Sequence, residues 1–130
     1  MLAKIKSCGL KGIDGFIINV ETDISNGIPA FDLVGLGDIA VREAKERVRS
    51  AIRNTGYEFP ARRITVNLAP ANLRKEGSAL DLPIALGILA ATGQVNSSMM
   101  DDYMFIGELS LDGQIKGING ILSMVLCASQ

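Results

Sequence analysis

The stretch that decides the fold is KEGSALDLPIALGILAATG, residues 75–93. Leu82 to Thr92 is apolar on every side, which predicts a helix that is buried over most of its surface. The helix is expected to begin between Ser78 and Asp81, either of which could serve as its N-cap. Gly93 is predicted to end it. The stretch therefore predicts a loop that carries Ser78, followed by a core helix.

Short apolar segments predict strands on both sides of this helix. Upstream, the pattern predicts strands at residues 2–8, 16–23, 30–34 and 63–68. Asn26-Gly27-Ile28-Pro29 is a turn, which predicts a hairpin from the second strand into the third. Downstream, a short strand is predicted at residues 104–107, and Leu111-Asp112-Gly113-Gln114 is typical of a hairpin turn.

An amphipathic helix is predicted between the third and fourth strands. Asp38 is a good N-cap residue, and Gly56 is a good residue just past the C-terminus. Between them, apolar residues and one threonine recur at helical spacing and are predicted to face the core: Val41, Ala44, Val48, Ala51, Ile52 and Thr55. Glu43 and Arg47 form a favourable pair four residues apart on the predicted outer surface.

A third helix is predicted to begin near Asn119, and the sequence stops inside it at Gln130. Its apolar run ILSMVLCA, residues 121–128, is followed by neither a cap nor a terminator. We therefore expect residues 1–130 to be a single domain that is truncated within its third helix and belongs to a longer protein.

The composition is typical of one α/β (α+β) domain with an aliphatic core. Hydrophobic residues make up 48% of the 130 residues and aromatic residues only 5%.

No signal peptide is visible, and no apolar stretch reaches the roughly 18 residues that span a bilayer, which predicts a cytoplasmic protein with no membrane partner. Cys8 and Cys127 are predicted to be reduced, buried thiols, with a disulfide as the less favoured alternative. The absence of histidine excludes Ser-His-Asp and Cys-His catalysis and argues against a transition-metal site.

Charge is segregated along the chain, although the net charge is only −1. Residues 1–40 carry a net charge of −2, residues 41–75 of +6, and residues 76–130 of −5. Four basic side chains of the predicted first helix fall on one stripe: Arg42, Lys45, Arg49 and Arg53. Four more basic residues extend this stripe: Arg62, Arg63, Arg74 and Lys75. The pattern is either the solvated basic edge of a helix or a patch that meets phosphates or an acidic partner.

Other motifs predict no cofactor site and no metal site in this chain. It lacks the G-x-x-x-x-G-K-[ST] loop that cradles nucleotide phosphates. Gly35-x-Gly37 is too short for a dinucleotide fingerprint and is better explained as a tight turn into the first helix, although a helix N-terminus behind glycines can bind an anion. Asp101-Asp102 with Glu108 lacks the ligand pattern of a cation-binding loop and is interpreted as solvated acids.

Blocks of sequence along the whole chain resemble the front domain of the ComM/YifB family, the magnesium-chelatase-like AAA+ proteins. In the family's order they are GLGD at 35–38 with VREAKERV at 41–48, VNLAPA at 66–71 with KEGS-x-x-DLPIA at 75–85, and GELSLDG at 107–113. The resemblance implies the ribosomal-protein-S5 domain-2-like α/β sandwich. This fold is similar to the proteolytic domain of Lon proteases and to the C-terminal domain of the RadA/Sms recombination protein.

The resemblance to Lon can be followed residue by residue. Ser78 falls at the position of Lon's nucleophile, and residues 107–113 match the segment before its catalytic lysine. That lysine is expected on the helix after Asn119-Gly120, where this chain has Ile121, Leu122, Ser123 and Met124; its last lysine is Lys116. A serine hydroxyl without a base is a poor nucleophile. The sequence therefore predicts no catalytic residue in this chain, with a Ser-Lys peptidase built on Ser78 and Lys116 as the alternative.

In the ComM/YifB family an AAA+ ATPase module follows this domain and assembles into rings, usually hexamers, and ComM members drive branch migration of DNA during natural transformation. The resemblance implies a non-catalytic accessory domain of such an ATPase, whose ATP and Mg²⁺ are bound outside this chain. Two roles for the basic stripe stay open. It contacts DNA phosphates without reading sequence, or it meets the acidic segment 76–112 of a neighbouring subunit. The two roles are not exclusive.

Overall fold

A computed structural model describes residues 1–98 and 100–117. The predicted third helix, from Asn119 to Gln130, lies outside the described residues. The described part is a mixed α/β fold with one main sheet and two α-helices, as the sequence predicts. Its elements in chain order are β1 (Leu2–Lys11), β2 (Asp14–Ser25), β3 (Ala30–Val34), α1 (Ile39–Asn54), β4 (Arg63–Ala69), α2 (Asp81–Ala91), a 3₁₀ turn (Met100–Asp102), β5 (Glu108–Leu109) and β6 (Ile115–Lys116).

The main sheet has the strand order β1-β2-β4-β3. β1 and β2 form a long antiparallel hairpin, and β4 pairs antiparallel with β2. The predicted hairpin from the second strand into the third is wrong, because β4 lies between β2 and β3, and β3 runs parallel to β4. Parallel neighbours need a crossover connection, and here that connection is α1. Residues 26–29 therefore carry the chain past the position of β4 to the far edge of the sheet.

Helix α1 has the predicted boundaries and buries nearly the predicted face. It buries five apolar residues: Val41, Ala44, Val48, Ala51 and Ile52. Thr55, which was expected in the core, is exposed at the C-cap, where its hydroxyl donates to the Ala51 carbonyl at 2.8 Å. Gly56 follows with a φ of 88°, a conformation that glycine adopts readily.

Helix α2 begins at Asp81 and buries eight of its eleven residues, which confirms a helix that is apolar all round. The predicted side-chain cap is wrong: Leu80 occupies the N-cap position, and no side chain caps the helix. The carboxylate of Asp81 instead bonds to Arg47 and to the backbone of Leu109. Gly93 lies just past the C-terminus with a φ of 72°. No helix of the described residues is long and apolar enough to cross a membrane.

The segment after α2 differs from its predicted strand. Residues 104–107 form only an isolated parallel bridge between Met104 and Lys6 of β1. The backbone of Gly107 bonds to the start of α2 instead, since its N–H donates to the Ala79 carbonyl and its carbonyl accepts from the Leu82 N–H. The turn at residues 111–114 is confirmed, because it joins β5 and β6 into a two-stranded antiparallel sheet.

Of the two cysteines, Cys8 is buried, and Cys127 lies outside the described residues.

Helix α2 packs closely on the sheet at Gly87. A β-carbon built there would lie 2.4 Å from the Thr22 hydroxyl oxygen of β2, well inside van der Waals contact. Glycine costs a helix interior about 1 kcal/mol relative to alanine. Gly87 is therefore explained by the close packing of α2 on β2.

We expect Gly87→Ala to destabilise the chain by up to about 2 kcal/mol, because overpacking against β2 costs about 1–3 kcal/mol and the gain in helix propensity offsets about 1 kcal/mol of it. Thr22→Ala removes the clashing oxygen, so the double variant should recover part of the loss. Urea unfolding of the original chain, the two single variants and the double variant measures the loss of stability and its recovery. A higher free energy of unfolding for Gly87→Ala than for the original chain would show that helix propensity dominates at this position. It would contradict the close contact with β2.

Candidate functional site

Asp38 connects the start of α1 to the loop that carries Ser78. Its Oδ1 accepts from the Val41 N–H at 2.9 Å, which confirms the predicted N-cap. Its Oδ2 accepts from the Gly77 N–H at 3.1 Å, and its own N–H donates to the Lys75 carbonyl at 3.0 Å. One carboxylate thus caps a helix and fixes a loop nearly forty residues further along the chain.

The two glycines before Asp38 are explained by packing. Gly35 has a φ of 114°, and a β-carbon there would lie 2.3 Å from the Leu68 carbonyl oxygen of β4. A β-carbon on Gly37 would lie 2.6 Å from a methyl group of Val41. Gly35-x-Gly37 is therefore the tight turn that the sequence predicts.

Lys75 is the largest of the fully buried side chains, with 1% of its surface exposed. Its ammonium group donates to the Gly35 carbonyl at 2.6 Å and to the Pro70 carbonyl. Burial lowers the pKa of this group, since desolvation penalises its charged form. The predicted place of Lys75 on the basic surface is thus wrong, because its side chain is buried and holds two loops together.

The ion pair between Arg47 and Asp81 joins α1 to α2. The Nε and Nη2 atoms of Arg47 donate to the two carboxylate oxygens of Asp81 at 2.6 and 3.0 Å. Nη2 also donates to the Ala40 carbonyl at 2.7 Å, and Asp81 accepts from the Leu109 N–H at 3.0 Å. Asp81 is 0% exposed, and Arg47 is 20% exposed. The predicted surface pair of Arg47 with Glu43 is only a 3.9 Å contact at the rim of this buried pair.

The pKa values of the two partners reflect this environment. The hydrogen bond from Arg47 to Asp81 raises the pKa of the guanidinium group. Burial raises the pKa of the Asp81 carboxyl group, while the bonds from Arg47 and the Leu109 N–H act in the opposite direction. Arg47 therefore opposes the effect of burial on the pKa of Asp81.

Ser78 lies half-buried in the loop before α2. Its carbonyl accepts from the Asp81 N–H at 3.2 Å. No side chain of residues 1–98 or 100–117 hydrogen-bonds to its hydroxyl. Lys116, the alternative base, lies in β6 and is exposed. Residues 121–124, where Lon's lysine is expected, lie outside the described residues.

The basic stripe lies along α1, and none of its four side chains is fully buried. Arg42 and Arg53 are exposed, while Lys45 and Arg49 are partly covered. Arg62 and Arg63 are exposed at the start of β4. Arg74 is exposed as well and pairs with Glu76 at 3.7 Å. Except for Lys75, the predicted basic residues are thus accessible, and their function as an interface stays a prediction.

A groove of about 360 Å³ lies between the stripe and the edge strand β3. Arg49, Arg53 and Arg62 line it together with two phenylalanines. The Arg49 guanidinium lies 6.0 Å from the ring centroid of Phe31 and 5.3 Å from that of Phe59. Phe31 is not predictable as a site residue from the sequence, because only the parallel pairing of β3 with β4 brings this strand beside α1.

Among the residues that the structure describes, no cluster of three histidine, cysteine, aspartate or glutamate side chains could hold a metal ion. Asp101 and Asp102 are exposed in the 3₁₀ turn, and Glu108 is half-buried in β5.

The family model for subunit ChlI of Mg-chelatase matches residues 20–130, which include α1, the Ser78 loop and α2. The chain belongs to this ChlI family. Within it, the chain is 46% identical over 129 residues to the competence protein ComM of Haemophilus influenzae, an alignment that covers 99% of this chain and 25% of ComM. It is 50% identical over 112 residues to the protein YifB of Escherichia coli, covering 86% of this chain and 22% of YifB. The resemblance to ComM and YifB that the motifs indicated is confirmed.

The chain also has a weaker sequence similarity to Lon proteases. The chain is 31% identical over 125 residues to the Lon protease of Chloroflexus aurantiacus, covering 89% of this chain and 15% of that protease. The chain thus spans about a quarter of the length of the ComM and YifB relatives, and less of Lon.

We expect Asp81→Asn and Arg47→Met each to destabilise this ChlI-family chain by about 3–5 kcal/mol, because each leaves a buried partner uncompensated. The double variant Arg47→Met/Asp81→Leu should cost less than either single variant, since no unpaired charge remains. Urea unfolding measures the free energy of unfolding of the two single variants and of the double variant. Arg74→Met is the matched control, because it breaks the exposed pair with Glu76 and should change stability by less than about 0.5 kcal/mol. Single variants no worse than this control would contradict the structural importance of the pair.

Proposed function

We propose that this chain is a non-catalytic accessory domain of a ComM-like AAA+ ATPase that acts in DNA processing, in branch migration or natural transformation. The AAA+ module, with its ATP and Mg²⁺, lies in the part of the protein that this chain does not cover. The accessible basic surface on α1 and at the start of β4 contacts DNA phosphates, neighbouring subunits of a hexameric ring, or both.

The observation that carries this proposal is the basic stripe of α1 in a chain of the ChlI family. Four cationic side chains follow one side of a rigid helix: Arg42, Lys45, Arg49 and Arg53. A row of cations on a fixed scaffold suits the regular charge of a phosphate backbone. No chemistry specific to a base is needed for such contacts, and they position nucleic acid without reading its sequence.

The finer fold assignment belongs to the same proposal. The order of the elements from β1 to α2 and the similarity to Lon support the ribosomal-protein-S5 domain-2-like sandwich of Lon and RadA. In that fold the Ser78 loop corresponds to the Lon nucleophile loop. Hydrogen bonds made by Asp38 and Lys75 hold this loop to the turn before α1, and these contacts need no catalytic role.

Fluorescence anisotropy with labelled duplex and branched DNA across a salt series tests the DNA contact. Four phosphate contacts predict a slope of log K against log salt of about −3.6. Arg42→Glu/Lys45→Glu should weaken binding and reduce the slope to about half, because two contacts become repulsive. This pair leaves Arg49 in place, whose packing on two phenylalanine rings makes it a poor choice for charge reversal.

The matched control is Lys4→Glu/Lys11→Glu, which makes the same change in net charge on exposed residues of β1. It should leave the slope unchanged. Equal effects of the two double variants would show that only net charge matters, and the α1 stripe would no longer be the contact surface.

The second candidate function is a Lon-like Ser-Lys peptidase, which the position of Ser78 and the similarity to Lon favour. We expect an acylating probe to leave Ser78 unlabelled in the folded chain, because its hydroxyl has no basic partner among the described residues. Mass spectrometry of the intact chain measures whether the probe is covalently attached, with Ser78→Ala as the unlabelled control. Labelling that disappears in Ser78→Ala and in Lys116→Ala would establish the peptidase instead.

A further inference from the structure

The groove beside β3 has the chemistry of a binding site for an acidic segment. Its wall combines the guanidinium groups of Arg49, Arg53 and Arg62 with the rings of Phe31 and Phe59. Arg49 is already held by the rings and by an ion pair with Glu46 at 3.0 Å. Within the described part of the chain, Arg53 and Arg62 form no ion pair. The groove therefore offers two uncompensated charges next to an apolar surface, which suits a ligand that is both acidic and aromatic.

The chain itself carries such a segment at Asp101-Asp102-Tyr103. All three side chains are exposed, and neither carboxylate is paired with another residue that the structure describes. The segment is not a loose tail, because the Tyr103 N–H donates to the Met100 carbonyl at 3.2 Å and the Tyr103 ring packs on Phe105. Two carboxylates match the two uncompensated arginines, and tyrosine is among the residues that contribute most at protein interfaces.

The groove and the acidic segment lie at opposite edges of one sheet. The groove is lined by residues of β3. The acidic segment follows the 3₁₀ turn beside β1, where the Phe105 N–H donates to the Lys6 carbonyl at 2.9 Å. Since β1 and β3 are the two edge strands, one copy cannot bring its own segment into its own groove. Complementary surfaces on opposite sides of one molecule produce head-to-tail contacts, which close into a ring when the rotation permits.

We propose that the groove formed by Arg49, Arg53, Arg62, Phe31 and Phe59 binds the Asp101-Asp102-Tyr103 segment of a second copy of this chain. This contact rests on the ring-assembly part of the proposed function and specifies its two surfaces. It leaves Arg42 and Lys45, nearer the start of α1, available for DNA.

A charge-swap series tests the contact by sedimentation velocity over a range of concentrations at low and high salt. Arg53→Glu/Arg62→Glu makes the groove acidic, and Asp101→Lys/Asp102→Lys makes the segment basic. Each should weaken self-association about 100-fold, because like charges then face each other. The variant that combines all four changes has the net charge of the original chain and opposite charges across the contact, so it should associate again. All four positions are exposed, and urea unfolding checks that each variant is folded.

The control is Lys11→Glu/Lys116→Glu, which changes the net charge as the acidic-groove variant does but touches neither surface. It should associate like the original chain. An original chain that stays monomeric at low salt, or a four-fold variant that does not recover, overturns the contact. DNA anisotropy on the same samples separates this failure from that of the proposed function. A monomeric chain that binds DNA, and loses it in Arg53→Glu/Arg62→Glu, assigns the groove to nucleic acid instead.

Discussion

The buried ion pair between Arg47 and Asp81 is the constraint on which the arrangement of the two helices depends. It joins the middle of α1 to the first residue of α2, and through the Leu109 N–H it also positions β5. Burying two charges is costly unless further hydrogen bonds compensate them, and here Arg47 also donates to the Ala40 carbonyl while Asp81 also accepts from the Leu109 N–H. The pair fixes where α2 begins, and hence where the Ser78 loop must end.

The Ser78 loop is tied to the turn before α1 by side-chain and backbone hydrogen bonds. Asp38 holds the Gly77 N–H, and the Lys75 ammonium holds the carbonyls of Gly35 and Pro70. These contacts join the turn before α1 to the loop before α2, so both loops depend on each other. The loop in turn contacts the α1 N-terminus through Asp38, and the basic stripe runs along the helix from there.

The basic surface follows from this scaffold. Because β3 runs parallel to β4 and α1 crosses between them, one side of α1 lies beside the sheet edge with Phe31 and, further along the chain, Phe59. Arg49 and Arg53 pack their guanidinium groups over these rings and keep their charge near the surface. The stripe thus has two parts, an open one at Arg42 and Lys45 and a concave one at Arg49, Arg53 and Arg62.

The sequence by itself determined the local structure. The boundaries of α1, the all-round burial of α2 and the turn at residues 111–114 follow from short-range patterns, since caps, periodicity and glycine conformation depend on neighbours in the chain. The family also followed from motifs, because contiguous residues carry it. Only the tertiary structure decided which strands pair, that Arg47 turns inward to Asp81 and that Lys75 is buried. Strand order and the partner of a charged side chain depend on residues far apart in sequence, and no local pattern encodes them. The motif around Ser78 predicts its place in the loop before α2. The groove at Phe31 depends on the crossover that places β3 beside α1, so no local motif predicts it.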